Sequence, residues 1–198
     1  MATDEQLLGD FVKGDEGAYA QLVSRYQREL FGFLQRYIGD AAVADDLFQE
    51  TFIQVFRSAA GFDTSRRLRP WIFTIAANKA RDYLRANQRR ATHSLDSSGA
   101  GSTQQATLLD VMESSEQSVP DSLMQAEDAQ TVRKIVSQLP SAYREVLLLS
   151  YFQRFAYKQI AEMLGIPLGT VKSRLHAALA CFAELWEAGH NGKTRTGS

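Results

Sequence analysis

Apolar residues recur along this chain at spacings of three and four. Tyr19, Leu22, Val23, Tyr26, Leu30, Phe33, Leu34 and Tyr37 form one such series, which is the period of an amphipathic helix packed on one side. Thr3-x-x-Gln6 predicts a capping box at the start of a first helix. Alternating strand patterns bounded by turn pairs are missing from the sequence. Pro70 closes the loop segment GFDTSRRLRP and is expected as the first residue of a further helix. The pattern predicts an all-α protein, with about four helices before residue 91 and four or five after residue 124.

The segment THSLDSSGAGSTQQAT breaks the periodicity and has the composition of a flexible linker. Residues 91–132 hold no Lys or Arg and seven acids, Asp96, Asp110, Glu113, Glu116, Asp121, Glu127 and Asp128. The expected organisation is therefore two small helical domains, 1–91 and 125–187, joined by a flexible acidic linker at 92–124 and followed by a disordered tail at 188–198. This changes the meaning of the overall charge. The 198 residues carry 22 Lys+Arg and 23 Asp+Glu, a formal net charge of -1, which by itself argues against a globally basic nucleic-acid coat. By position, residues 66–90 hold eight basic residues against the single acid Asp82, a footprint suited to a phosphate backbone.

The helix from Pro70 has two unlike faces. On a wheel of about 100° per residue, Ile72, Phe73, Ala76, Ala77, Ala80, Tyr83 and Leu84 share one side. Trp71, Thr74, Asn78, Arg81, Asp82, Arg85 and Arg89 share the other. A solvated face is the simplest account of those charges. Solvation does not account for Trp71, which either packs at the helix start or stacks on an unpaired base.

Tyr157 to His176, YKQIAEMLGIPLGTVKSRLH, carries a helix-turn-helix. Ile160, Ala161 and Leu164 form the inner face of one helix. Gly165 supplies the positive φ of a tight turn, and Val171 and Leu175 anchor the second helix. That helix is expected to start near Thr170, to bury Val171, Leu175, Ala178, Leu179, Phe182 and Trp186, and to turn Thr170, Ser173, Arg174 and Ala177 outward. Side chains at its N-terminus are placed to reach base edges in a major groove.

Three segments taken together, ADDLFQETFIQVFR, RPWIFTIAANKARDYLRANQRR and LGIPLGTVKSRL, make the chain resemble the extracytoplasmic-function sigma factors of bacterial RNA polymerase. The likeness covers about residues 15–91 and 125–187. It implies core RNA polymerase as a partner, through the β′ clamp coiled coil and the β flap. It also implies promoter DNA and an anti-sigma factor as partners, with no direct membrane insertion. Asp46, Leu47, Phe48, Gln49, Glu50 and Phe52 match the polymerase-docking segment, where Asp45, Asp46 and Glu50 are expected as an acidic patch beside exposed apolar groups. Arg69, Trp71, Asn78, Arg81, Asp82 and Arg85 match the helix that contacts and opens the minus-10 element, and the loop from Gly61 to Arg69 matches the part that captures a flipped base. Thr170, Lys172, Ser173, Arg174 and His176 match the helix that reads the minus-35 element, although Ala177 stands where the family commonly carries a basic residue.

Other classes find less to rest on. The sequence holds no phosphate loop G-x-x-x-x-G-K-[ST], no G-x-G-x-x-G and no nucleophile set beside a base, so no catalytic residue, metal or cofactor is expected. Cys181 is the one cysteine and has no partner for an internal disulfide. With no signal-like start and no apolar stretch of about 18 residues, a cytoplasmic protein is expected. The alternative reading is a helix-turn-helix regulator whose N-terminal domain senses a signal.

Overall fold

The computed structural model describes residues 2–95 and 119–193, with the side chains of 91–95, 119–128 and 189–193 outside the description. Most of the predicted linker and the end of the tail therefore lie outside the described residues. Among the described residues there are eight α-helices and no strand: α1 Asp4–Val12, α2 Glu16–Ile38, α3 Ala41–Ser58, α4 Leu68–Leu95, α5 Val119–Gln138, α6 Ser141–Leu147, α7 Tyr157–Leu164 and α8 Leu168–Lys193. A single 3-10 turn, Ala59–Gly61, follows α3, and α6 runs on into a π-helical turn at Leu148–Phe152.

Local chemistry sets the first boundaries. The Thr3 hydroxyl accepts from the Gln6 amide at 3.2 Å, and the Thr3 amide donates to the Gln6 side chain at 2.8 Å, so the capping box forms as the sequence predicts. Gly39 ends α2 in the left-handed region at φ 88°, a conformation costly for a residue with a Cβ. The next residue, Asp40, starts α3 by accepting from the amides of Ala42 at 2.8 Å and Val43 at 3.1 Å. Helix α4 begins two residues before Pro70, which occupies the first turn, where its missing N–H leaves no bond unmade. The Leu68 amide at that end donates to Glu5 Oε1 on α1 at 2.9 Å, a cap supplied from another helix.

The first unit buries the periodic face of α2. Leu22, Leu30, Phe33 and Leu34 are fully enclosed, together with Ala44 and Val55 of α3 and Ile72, Phe73, Ala76, Ala77 and Ala80 of α4. The three alanines bring the α4 backbone close to its neighbours. Asp4 ties α1 down, accepting from the Tyr26 hydroxyl at 2.6 Å and from Arg25 at 2.9 Å. Burial, reinforced by the Asp4 carboxylate, raises the Tyr26 pKa, so the phenol stays a donor.

The second unit encloses Leu139, Val146, Leu148, Leu149, Ile160, Val171 and Ala178, the inner faces of α5 to α8. Leu179, expected on this buried side, is instead 49% exposed. One position past Ala178 the helix has turned by about 100°, and Phe182 and Trp186 continue the packed stripe as a stacked pair at 6.1 Å. The two units are in contact: α2 and α4 of the first lie against α6, the π turn and α7 of the second.

Candidate polymerase and DNA interfaces

On α3 the structure separates the residues that matched one docking segment. Asp46, Gln49 and Glu50 are exposed, whereas Leu47, Phe48 and Phe52 are buried in the first core. The apolar groups beside the acids are therefore Ile53 and Phe56, 50% and 55% exposed. Sequence reading missed these two because Leu47, Phe48 and Phe52 follow the helical period, and only packing tells which stripe of a doubly apolar helix faces inward. Around the patch, Gln49 donates to Asp45 at 2.8 Å, and Lys79 of α4 donates to Glu50 at 3.0 Å. These exposed contacts stabilise by at most about 1 kcal/mol each.

Residues 62–67 precede α4 as a shaped loop. Asp63 accepts from the Ser65 amide at 3.0 Å, which folds the loop back as an Asx turn; the Ser65 side chain and then this amide hold the Asp63 carboxyl below its ordinary pKa. With α1 the loop walls an open cleft of about 980 Å³ whose lining includes Thr3, Gln6, Lys13, Ser65, Arg66 and Arg67. Trp71 is half-buried, its ring 4.7 Å from that of Phe62. One side of the indole thus packs at the helix start, and the rest stays open.

Further along α4, Asn78, Asp82 and Arg85 are exposed, with Arg85 3.4 Å from Asp82. Arg69 and Arg81 do not stand free. Arg69 pairs with Glu29, donates to the Gln153 carbonyl oxygen at 2.9 Å, and lies 4.2 Å over the Phe155 ring. Arg81 bonds Asn78 Oδ1, and its Nε is 3.3 Å from Glu145 Oε1. Their partners across the chain, Gln153, Phe155 and Glu145, carry no signal in the sequence that would pair them with α4.

In the helix-turn-helix, Gly165 ends α7 at φ 63°. The Ile166 amide then donates to the Ala161 carbonyl at 3.1 Å, which fixes the angle between α7 and α8. Val171, Leu175 and Ala178 face the core. Lys172, Ser173 and His176 are exposed, Thr170 and Arg174 are half-buried, and the Ser173 hydroxyl is turned back onto the Thr170 carbonyl at 3.1 Å. Ala177 is half-buried rather than outward, because it lies next to the packed Ala178 on a helix that contacts α5 and α6.

A Cβ on Gly165 would meet no atom within 4 Å, so the cost of substitution there is confined to the backbone. Gly165→Ala is expected to lower stability by about 1–2 kcal/mol, and Gly165→Asn by less, because Asn enters the left-handed region more readily. Urea unfolding of the two variants checks this order, and equal losses would refute it. Among the described residues no group of three or more His, Cys, Asp or Glu comes together to hold a metal. No described helix is long and apolar enough to cross a membrane.

Comparison with known proteins falls on these two units. The sigma-70 region 2 family matches residues 22–90, and the sigma-70 region 4 family matches residues 129–182. The ECF RNA polymerase sigma factor SigW of Bacillus subtilis is 31% identical over 164 residues, 83% of this chain and 86% of that protein. The ECF RNA polymerase sigma-E factor of Escherichia coli is 33% identical over 178 residues, 89% of this chain and 90% of that protein. Among solved structures, the fold is similar to the sigma factor RpoE of Bartonella quintana, solved with the anti-sigma factor NepR. That likeness has TM-score 0.66 and 24% identity, over 85% of this chain and 96% of that one. It is also similar to CnrH, solved with the cytosolic domain of CnrY, with TM-score 0.64 and 24% identity, over 93% of this chain and 97% of that one.

Proposed function

Since this chain belongs to the extracytoplasmic-function sigma factors of RNA polymerase, we propose that its two helical units divide promoter recognition between them. Residues 1–91 bind the polymerase and the minus-10 element, residues 125–187 bind the minus-35 element, and residues 92–124 span the distance. Two elements two helical turns apart are separated by about 70 Å, and the 23 residues between α4 and α5 reach about 80 Å when extended. That reach covers the span.

The observation that carries this reading is the face of α4. Asn78, Arg85, Arg89 and Arg90 are exposed along one helix whose first turn carries a half-open Trp71 beside a basic loop. Cations along the helix neutralise phosphates, and the indole offers a stacking surface for a base once strands part. Lys172 and His176 with Thr170, Ser173 and Arg174 supply the second contact from the start of α8. Asp46, Gln49 and Glu50, joined by Ile53 and Phe56, give α3 an acidic surface with an apolar centre, suited to a basic helical partner.

Sigma factors initiate transcription without catalysis of their own, so the bond-forming chemistry lies in the polymerase and no cofactor enters this mechanism. An anti-sigma partner belongs to the same reading, because one of the structures sharing the fold holds one. The test is run-off transcription with purified bacterial core polymerase on a library of genomic fragments. Initiation that depends on the added chain is expected from a discrete set of promoters. No such initiation, together with tight duplex binding in the absence of polymerase, would instead establish a helix-turn-helix regulator.

A further inference from the structure

Helix α1 carries none of the residues read above as polymerase or DNA contacts, yet it fixes where α4 begins. Glu5 Oε1 accepts from the Leu68 amide at 2.9 Å, across 63 positions of the chain. Leu68 has no exposed surface and stands at the junction between the loop 62–67 and the first turn of α4. The first amides of a helix find no partner within it, and a carboxylate placed there also meets the positive end of the helix dipole. Glu5 meets both needs from outside the helix.

The residue beside it holds α1 itself in place. Asp4 accepts from the Tyr26 hydroxyl at 2.6 Å and from Arg25 at 2.9 Å, and Leu7 and Leu8 are buried in the first core. Adjacent residues on a helix point about 100° apart, so one short helix grips α2 with the first carboxylate and α4 with the second. Across the junction, Trp71 stands three residues after Leu68, and its ring meets that of Phe62, at the other end of the loop, at 4.7 Å. Between them the loop is tied by the Phe62 amide to the Ala59 carbonyl at 3.1 Å and by the Arg66 amide to the Asp63 carbonyl at 3.0 Å. Arg66 and Arg67 are exposed and, with Glu5, line the cleft between α1 and the loop.

We propose that Glu5 is a positioning residue for strand opening. Its bond to the Leu68 amide sets the start of α4 and so holds the Trp71 indole, against Phe62, where an unpaired base stacks on it. In this role Glu5 acts through Trp71 rather than on the DNA. The proposal rests on the reading of α4 as the strand-opening helix. Without the bond the first turn of α4 loses the partner that caps it, and an indole on a frayed turn offers no fixed face to a base.

The test uses full-length variants assembled with core polymerase, with permanganate reactivity of unpaired thymines reporting opening and far-UV circular dichroism verifying folding at the assay temperature. Glu5→Ala keeps a strong helix former in α1. It is expected to reduce open complexes about fivefold, the equilibrium equivalent of one lost helix cap, while co-purification with core polymerase is unchanged. Glu5→Gln retains an acceptor oxygen and is expected to restore most of the opening. Asp15→Ala removes a cap of the same kind from α2, where Asp15 accepts from the Ala18 amide at 3.1 Å. It is expected to show a similar loss in urea unfolding and to open promoters at the wild-type level. Because Glu5 acts through Trp71, adding Glu5→Ala to Trp71→Ala is expected to reduce opening by less than about twofold further. Wild-type opening by Glu5→Ala beside a defective Trp71→Ala would overturn the positioning role and leave the reading of α4 standing. A defect shared equally with Asp15→Ala, or a Glu5→Ala chain unfolded at the assay temperature, would reduce the effect to stability and overturn the proposal too. A further loss of about fivefold in the double variant would overturn the route through Trp71. Normal opening by Trp71→Ala itself would overturn the reading of α4 and the proposal with it.

Discussion

Phe33→Ala is expected to lower the stability of the N-terminal unit by about 3–5 kcal/mol, the usual loss when a buried aromatic is truncated and its cavity does not collapse. Phe33 has no exposed surface. Its ring lies 5.8 Å from Tyr37 on its own helix and 5.4 Å from Phe73 on α4, so it joins the two helices that carry most of the first core. The space cannot close readily, because α4 is already held close by Ala76, Ala77 and Ala80. Urea unfolding followed by tryptophan fluorescence in a Trp186→Phe background isolates the signal of Trp71 and hence of this unit. A loss below about 1 kcal/mol would show that the ring is not the keystone of the core. The same loss should appear as reduced initiation only at temperatures where the variant unfolds, which separates it from a defect in DNA contact.

Trp71→Ala is expected to spare stability comparatively and to damage strand opening. The indole is half-buried against Phe62, and its remaining surface lies beside the basic loop. A base stacked on an aromatic contributes about 1–3 kcal/mol, so open complexes should fall by roughly 5–150-fold, with polymerase binding retained. Permanganate reactivity of unpaired thymines measures opening, and co-purification with core polymerase measures binding. Trp71→Phe should recover much of the loss, since a smaller aromatic still offers a stacking face. Open complexes at the wild-type level with Trp71→Ala would remove the indole from the mechanism and leave it a packing residue.

How far the site was legible differs from element to element, for physical reasons. The helix-turn-helix could be read almost entirely, because its determinants are local. Gly165 permits the turn, Ile160 and Leu164 are buried on one side of it, and Val171 and Leu175 on the other. Leu179 is the exception, a hydrophobic side chain on the exposed side of α8. Helix α3 was harder, because it is apolar on more than one stripe. Leu47, Phe48 and Phe52 fill the core, and Ile53 and Phe56 stay exposed, a division set by where the neighbouring helices lie. Helix α4 was the least legible in detail. Its basic face is plain in the sequence, but Arg69 and Arg81 are engaged by Glu29, Gln153 and Glu145.

By itself the sequence determined that this protein is helical, that an acidic segment separates two units, and where several helices begin. Capping, glycine turns and a 3.6-residue period act within a few residues, so they are written where they operate. Only the tertiary structure decided which of two apolar stripes on α3 is buried, that Glu5 of α1 caps α4, and which arginines are free. Those outcomes depend on charges and volumes brought together from distant parts of the chain, where a buried carboxylate such as Glu145 gains its partners only once the helices have packed.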